Sequence, residues 1–459
     1  MFDDTIAAIS TAVSESGIGI IRISGKDAFS VIDQIYKAKG KEKKLSAQPS
    51  HTIHYGYIAD GDEIIDEVLV SIMCAPRTFT AENTVEINCH GGVYVMKRVL
   101  ETVLKNGARA AEPGEFTRRA FLNGRIDLSR AEAVMDLIQS KNEYALKSSV
   151  GQLRGSVYET ISRFRQDILH EIAFIEAALD DPEHYSLDDY PDYLQSKVDE
   201  WKKQLGHYIE SFENGRLIRE GINTVIVGRP NAGKSSVLNR LLGENRAIVT
   251  DIPGTTRDLL TETITLNGLT LNIIDTAGIR NTEDPVEKIG VERAKGALNK
   301  ADLVLFVLDS SQETDENDKL IMDEIRDKKS LILLNKSDLK AKITAEDIHT
   351  ILPQAPVILL SALTGEGIND FIECIRNMFF NGNLSFNDEV MITNIRQKNL
   401  LIQAMQNLEQ VESSLAMQMP EDFLSIDLAG ACENLGQITG DTTGEDLVNE
   451  IFSKFCMGK

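Results

Sequence analysis

The spacing of hydrophobic and polar positions changes along the chain, which predicts several folded units. Residues 1–118 carry short β-rich runs between turn residues, among them Ile18–Ser24, Val68–Met73 and Val85–Asn88. Val93–Lys105 instead repeats its hydrophobic positions at helical spacing. This first block is therefore predicted to be an α+β domain.

Helical spacing dominates residues 119–218 and 383–459, whereas strand and helix patterns alternate over 219–382. Such alternation is typical of a parallel α/β sheet. The simplest organisation is an α/β domain inserted into an all-α domain, whose two halves flank it and which follows domain 1–118. The acidic stretch Asp180–Asp192, which contains two prolines, is predicted to be a loop.

The composition is that of a globular protein with about three domains, since 459 residues include 42% hydrophobic and 26% charged positions. No long apolar run predicts a membrane span, and the acidic start does not resemble a secretory signal. The five scattered cysteines form no CxxC pair, which argues against a disulfide framework or a zinc site. We therefore expect a cytoplasmic protein with reduced thiols.

The charge balance is strongly acidic, with 48 Lys and Arg against 71 Asp and Glu and a net charge of −23. Such a chain repels nucleic acid on average. A nucleic-acid role would need a local basic surface or a basic partner.

A phosphate-binding loop is predicted at residues 228–235, which read GRPNAGKS. The loop lies between the buried-strand pattern Ile222–Val227 and the helical run Ser236–Leu242, the context that this motif requires. Backbone N–H groups and the helix N-terminus would surround the phosphates. We expect Lys234 to reach the β- and γ-phosphates and the Ser235 hydroxyl to bind Mg²⁺.

Three further segments follow strand patterns in the order of a GTPase: 275–278 (DTAG), 335–338 (NKSD) and 361–363 (SAL). Asp275 is expected to hold Mg²⁺ through water. Asp338 can accept hydrogen bonds from N1–H and the 2-amino group of guanine, a donor pair that adenine lacks. The ordered set predicts GTP rather than ATP.

The water-positioning glutamine of Ras-like GTPases is replaced by Ile279, and Ile cannot orient water. A substitute is needed, and Glu287 is the candidate. It ends the acidic segment Asn281–Glu287, before the predicted helix Lys288–Asn299. An acidic residue at the N-terminus of a helix is also stabilised by the helix dipole. Glu287 is therefore either the water-positioning residue or a residue that stabilises the helix, and both interpretations stay open.

Asn231 and the loop 250–258 (TDIPGTTRD) resemble cation-dependent GTPases, in which K⁺ supplies the charge of an arginine finger. A simple turn residue is the alternative for Asn231. The resemblance implies K⁺ ligands at the Asn231 side chain, the Thr250 and Ile252 carbonyls and Thr255, with Thr256 on Mg²⁺. The predicted GTP contacts are Asn231, Ala232, Gly233, Lys234, Ser235, Ser236, Thr250, Asp251, Ile252, Pro253, Gly254, Thr255, Thr256, Asp275, Thr276, Ala277, Gly278, Asn335, Lys336, Asp338, Ser361, Ala362 and Leu363.

Motifs outside the GTPase signature lie near both ends of the chain. They are 17–25 (GIGIIRISG), 79–82 (FTAE), 89–92 (CHGG), 113–125 (PGEFTRRAFLNGR) and the terminal 455–459 (FCMGK). Together with the inserted GTPase domain, the chain resembles the MnmE (TrmE) family of tRNA modification GTPases over essentially its whole length.

The resemblance implies that domain 1–118 is similar to folate-binding aminomethyltransferase domains, dimerises and binds 5-formyl- or 5,10-methylene-tetrahydrofolate. The implied folate contacts are Arg22, Glu86, Arg125 and Lys459. Cations suit the carboxylates of the glutamate tail, and a carboxylate suits the pterin donors. Cys456 and Arg257 are candidates for a role in the modification, although a lone terminal cysteine is commonly inert.

The same resemblance implies a K⁺-activated GTP hydrolase with Lys234 and Glu287 as catalytic residues. Acting with an FAD-dependent partner, MnmG, the homodimer would modify carbon 5 of the wobble uridine of tRNA to aminomethyl or carboxymethylaminomethyl types. A ribosome-assembly GTPase without folate chemistry is the alternative. Such a protein would be expected to carry a basic RNA-binding segment, and none is evident.

Overall fold

The computed structural model describes residues 3–40, 42–244, 262–274, 298–380, 392–456 and 458. The chain forms two compact units: unit 1 contains residues 1–135, 152–199 and 403–459, and unit 2 contains residues 136–151 and 200–402. This division by compactness does not follow the sequence-derived boundaries after residues 118, 218 and 382. Those boundaries remain predictions.

The helices of the described residues are α1 Ala28–Ile35, α2 Val93–Lys105, α3 Glu115–Leu122, α4 Leu128–Gln139, α5 Glu143–Arg154, α6 Ser156–Asp180, α7 Tyr190–Glu220, α8 Lys234–Glu244, α9 Glu316–Glu324, α10 Ala345–Ile351, α11 Ile368–Phe380, α12 Ile395–Ala416, α13 Glu421–Thr439 and α14 Glu445–Ser453. A short 3-10 helix spans Leu45–Ala47. The predicted loop Asp180–Asp192 is wrong at its end, because α7 begins at Tyr190. Pro191 is compatible with the first helical turn, because the N–H groups there have no intrahelical acceptor and the N–H that proline lacks is not needed.

Unit 1 contains a seven-stranded sheet. Its strands are β1 Ile6–Ile9, β2 Ser16–Ser24, β3 Tyr36–Ala38, β4 Thr52–Asp60, β5 Glu63–Met73, β6 Thr84–Gly91 and β7 Arg109–Ala110. They lie in the order β3-β4-β5-β6-β2-β1-β7. Alternate side chains of the strands, such as Ile21, Val70 and Ile87, pack with Val99 of α2 in one apolar core. The strands predicted from the sequence lie within β2, β5 and β6, and the predicted helix is α2.

A buried ion-pair network joins the first residues of unit 1 to α3. The Arg119 side chain is 0% exposed. Its Nη2 lies 3.0 Å from Glu115 Oε1 and 2.7 Å from Asp4 Oδ1, and its Nη1 lies 3.3 Å from Glu82 Oε1. Burial raises the pKa of Glu115, but hydrogen bonds from Arg109, a backbone N–H and Arg119 outweigh it and leave that pKa below its usual range. The network links distant segments of unit 1.

Unit 2 is built around a six-stranded sheet. Its strands are β8 Ile222–Val227, β9 Glu262–Leu266, β10 Leu269–Ile273, β11 Leu303–Asp309, β12 Ser330–Asn335 and β13 Val357–Leu359, in the order β13-β12-β11-β8-β10-β9. All pairs are parallel except β9 with β10. The sequence Asn267-Gly268 between two strand patterns, 261–266 and 269–275, predicts a two-residue hairpin. The pairing of β9 with β10 confirms it, and Asn267 and Gly268 have φ of 48° and 85°, as a type I′ turn requires. Apolar clusters cover both faces of the parallel strands.

Candidate functional site

The carboxyl ends of four parallel strands in unit 2 meet at one edge of the sheet. β8 leads into the loop 228–233, β11 ends at Asp309, β12 ends at Asn335 and β13 is followed by Ser361. Three of the segments singled out from the sequence therefore lie side by side. This edge is where open α/β sheets bind their ligands.

The backbone of the loop 228–233 leaves no room for a side chain at two of its positions. Gly228 and Gly233 have φ of 145° and 98°. A Cβ on Gly228 would lie 2.3 Å from the Val307 carbonyl oxygen, and one on Gly233 would lie 2.1 Å from Asn335 Nδ2. Asn231 is left-handed at a φ of 64°, a region that Asn tolerates better than most residues. The loop therefore needs its two glycines.

Lys234, the first residue of α8, lies over this loop. Its Nζ donates to the carbonyl oxygens of Gly228 at 2.6 Å and Arg229 at 2.7 Å. Burial lowers the pKa of the Lys234 ammonium. Ser235 and Ser236 follow it in the first turn of α8, where the helix dipole favours an anion. The arrangement is suited to a bound phosphate chain.

Asn335 joins three predicted segments. Its Nδ2 donates to the Ala232 carbonyl at 3.0 Å, and its Oδ1 accepts from the Ala362 N–H at 3.1 Å. Beside it, the Ser361 hydroxyl donates to Asp338 Oδ1 at 2.6 Å. The carboxylate that is predicted to bind guanine is thus oriented by the neighbouring segment. The Leu363 side chain points away from this packing and is 81% exposed.

An ion pair that sequence reasoning missed supports this region. Lys336 Nζ lies 2.6 Å from Asp309 Oδ2. Burial raises the pKa of Asp309, but hydrogen bonds from Lys336 and Ser311 outweigh it and leave that pKa below its ordinary value. The available signal was the polar sequence that begins at the end of the apolar run 303–309, at the same edge of the sheet as Asn335.

A second missed contact fixes the side chain of Arg229 in the phosphate-binding loop. Its Nη1 lies 3.0 Å from Asp315 Oδ2, and its Nε lies 3.0 Å from Asp318 Oδ2. Asp315 and Asp318 also form the capping box of α9. The loop residue whose carbonyl receives Lys234 is therefore anchored to another helix. Only the Asp-x-x-Asp spacing could have suggested this.

Several predicted site residues lie outside the described residues. They are Thr250, Asp251, Ile252, Pro253, Gly254, Thr255, Thr256, Arg257, Asp275, Thr276, Ala277, Gly278, Glu287 and Lys459. Their roles remain predictions.

The predicted folate contacts Arg22 and Glu86 are cross-strand neighbours in β2 and β6. Arg22 Nε donates to Glu86 Oε1 at 2.9 Å. The guanidinium carbons of Arg22 and Arg125 lie 5.9 Å and 5.4 Å from the centroid of the Phe79 ring. The structure therefore places two of the four predicted contacts, Arg22 and Arg125, beside one aromatic ring and a third, Glu86, in an ion pair with Arg22.

The last residues of the chain reach the same place within unit 1. The Gly458 carbonyl accepts from Ser10 Oγ at 3.1 Å and from Arg22 Nη1 at 3.5 Å. Gly458 has a φ of 83°, and a Cβ there would lie 2.3 Å from the Ile9 carbonyl oxygen. Cys456 is exposed, and its carbonyl accepts from the Gly114 N–H at 3.2 Å. Both ends of the chain thus contribute to one polar surface.

Within the described ranges, no helix has the length and apolarity needed to cross a bilayer.

Comparison with known proteins agrees with the motifs. Residues 128–456 match the family model of the MnmE helical domain, and residues 5–125 match that of the GTP-binding protein TrmE N-terminus. The tRNA modification GTPase MnmE of Lachnoclostridium phytofermentans is 57% identical over 100% of both chains. The protein of the same name from Bacillus subtilis is 46% identical over 99% of this chain and 100% of its own. The crystal structure of the G domain of the T. maritima FeoB iron transporter matches 34% of this chain and 96% of its own, with 30% identity and a TM-score of 0.26. The chain belongs to the MnmE (TrmE) family of tRNA modification GTPases.

Proposed function

We propose that the chain is a K⁺-activated GTP hydrolase that modifies carbon 5 of the wobble uridine of tRNA with a tetrahydrofolate-derived one-carbon unit. It would act as a homodimer in the cytoplasm with the FAD-dependent partner MnmG. Family membership supports the GTPase and tRNA parts and favours them over ribosome assembly. The observation that carries the nucleotide site is the junction at Asn335, which joins the phosphate-binding loop to the guanine-binding segments.

In this proposal Lys234 and the N-terminus of α8 hold the phosphates, and Asp338 accepts from the guanine base. The Ser235 hydroxyl and Thr256 would bind Mg²⁺, with Asp275 acting through water. Mg²⁺ would neutralise charge that develops on the phosphates. Glu287 would position the attacking water, since Ile279 cannot.

The K⁺ ligands would be Asn231, the carbonyls of Thr250 and Ile252, and Thr255. Support comes from Asn231, which lies exposed on the phosphate-binding loop with its backbone in the left-handed region. K⁺ would supply positive charge near the γ-phosphate, where charge develops in the transition state. Two G domains of the dimer would pair in the GTP state and separate after hydrolysis, as ligand-controlled switches do.

GTP turnover is expected to be at least about tenfold faster in KCl than in NaCl at equal ionic strength, because one lost charge-stabilising contact costs about 10²–10³ in rate. Asn231→Gly, which removes the side-chain amide and accommodates the left-handed backbone, should reduce the turnover in KCl to that in NaCl and leave GTP affinity within about threefold. The measurement is steady-state phosphate release from the full chain. Ser236→Ala changes a predicted GTP contact that is not a predicted K⁺ ligand, so it should keep the ratio of turnover in the two salts. Equal GTP turnover of the original chain in the two salts would contradict the proposed K⁺ site.

The folate part of the proposal rests on Arg22 and Arg125 beside Phe79 and on Glu86 paired with Arg22, with Lys459 as the fourth contact. The Gly458 carbonyl near Arg22 supports it, because the next residue along the chain is Lys459. The cations would bind carboxylates of the polyglutamate tail, and Glu86 would accept from pterin N–H groups. Cys456 and Arg257 are proposed to serve the modification, and FAD would be bound by the partner.

A further inference from the structure

A short basic segment stands out in this acidic chain. Residues 36–44 contain five lysines and one glutamate, whereas the whole chain has a net charge of −23. Four of the lysines, Lys37, Lys39, Lys43 and Lys44, belong to the described residues and are exposed. We call these four residues the lysine strip.

The lysine strip follows the outer edge of the unit 1 sheet. Lys37 lies on edge strand β3 opposite Tyr57, and its Nζ donates to the Gly61 carbonyl at 2.7 Å. The Nζ of Lys39 lies 5.2 Å from the centroid of the Tyr55 ring. Tyr55 of β4 and Gly61 of the turn after β4 thus hold these two ammonium groups along one edge.

Lys43 is oriented by a buried histidine. Its Nζ lies 2.9 Å from His54 Nδ1, while His54 Nε2 lies 2.8 Å from the Thr52 hydroxyl. Burial and the nearby Lys43 charge lower the pKa of His54, which favours the neutral ring that can accept from an ammonium. The positive charge of Lys43 is therefore kept at the surface and is not neutralised.

Among the residues that the structure describes, the strip has no acidic partner, unlike several other lysines of unit 1. Among the described side chains, no member of the strip forms an ion pair, whereas Lys26, Lys97 and Lys105 pair with Asp3, Glu101 and Asp60. Lysine on an edge strand also prevents edge-to-edge aggregation. That role can account for Lys37, but Lys39, Lys43 and Lys44 lie beyond the end of β3 at Ala38.

We propose that the lysine strip, together with the Tyr55 ring, binds the phosphate backbone of tRNA. Unpaired lysines supply the counterion-releasing contacts that dominate nucleic-acid affinity, and an exposed aromatic ring offers a base a stacking surface. A protein partner fits less well, because lysine is depleted at protein–protein interfaces. The inference rests on tRNA being the substrate and is independent of the folate and K⁺ sites. Contacts of this kind position the RNA and carry no sequence information.

The test compares two triple variants with the same change in charge. Lys39, Lys43 and Lys44 are each changed to Gln in the strip variant, and the paired Lys26, Lys97 and Lys105 are each changed to Gln in the control. Binding of unmodified tRNA to the full chain is measured from about 50 to 200 mM KCl. The strip variant should bind at least about tenfold more weakly at low salt, with a salt slope smaller by about 2–3. The control should stay within about threefold of the original chain.

Thermal unfolding and GTP turnover of both variants should match the original chain, which shows that the fold and the nucleotide site are retained. Equal losses in both variants, or an unchanged strip variant, would overturn the proposal. Failure of the original chain to bind tRNA, with GTP turnover intact, would also overturn it and leave the GTPase function untouched. Loss of binding to a protein partner with tRNA binding retained would assign the strip to that partner instead.

Discussion

Replacing Asp338 with asparagine is expected to weaken the preference for GTP over ATP by about 10³-fold or more, measured as the ratio of kcat/KM values. A site built to accept hydrogen bonds rejects a base without the donors by about 10⁴–10⁵. The Asp338 carboxylate is fixed in orientation, since the Ser361 hydroxyl donates to its Oδ1 at 2.6 Å. The asparagine variant can present an amide N–H where guanine also has a donor, so the match is lost.

Xanthosine triphosphate provides a matched positive control for this variant. Xanthine has a 2-oxo group in place of the 2-amino group of guanine, so the side-chain amide introduced by Asp338→Asn can donate to it. Turnover of xanthosine triphosphate should therefore rise in the Asp338→Asn chain as turnover of GTP falls. Unchanged discrimination between GTP and ATP, with the protein folded, would remove Asp338 from the guanine site.

Arg119→Met is expected to lower the free energy of unfolding of unit 1 by about 3–5 kcal/mol. The substitution leaves Glu82 buried without its guanidinium partner and leaves Glu115 paired with Arg109 but not with Arg119. Breaking a buried ion pair from one side costs about that much. Arg118→Met is the control in the same helix, because Arg118 pairs with Glu112, which is 65% exposed, and lies 3.8 Å from Glu115, which keeps Arg109 and Arg119 in this variant. The control should cost about 1 kcal/mol or less. Urea unfolding followed by circular dichroism of the full chain measures both.

The pH dependence of the free energy of unfolding distinguishes the loss of ion pairs from the loss of packing in Arg119→Met. The pKa of Glu115 is below its usual range in the folded chain, so its ionisation stabilises the fold above a pH of about 4.5 and this contribution disappears as the pH falls. The difference in free energy of unfolding between the original chain and Arg119→Met should therefore become smaller below about pH 4.5. A difference that stays constant from pH 7 to the acid range would show that Arg119 acts only by filling space.

The sequence alone was sufficient to predict those elements whose residues must stand at a fixed local spacing. The loop 228–235 must place two glycines and a lysine between a strand and a helix, so its sequence alone identifies it. Helix α2 was predicted with its observed bounds because its apolar face repeats at helical spacing against the sheet. The hairpin turn at Asn267 and Gly268 was predicted for a similar reason, because a two-residue hairpin requires residues that tolerate positive φ at both positions.

Contacts between distant segments could not be predicted in the same way. Arg119 is part of a polar, Arg-rich motif and gives no sign that it is fully buried, since its partner Asp4 is 115 residues away. The anchoring of Arg229 by Asp318 likewise depends on how α9 packs. Such pairs depend on the assembled fold, and a charged residue is by itself more commonly exposed.

Binding of 5-formyl-tetrahydrofolate to the purified full chain tests the central claim most directly, because the claim joins a GTPase to one-carbon chemistry. Calorimetric titration is carried out on the original chain, on a chain lacking Lys459 and on Arg22→Gln. We expect the original chain to bind, and both variants to bind at least about tenfold more weakly, a loss of about 1.4 kcal/mol, with GTP turnover unchanged. A chain that binds no folate, or binds it equally well after both changes, would contradict the account.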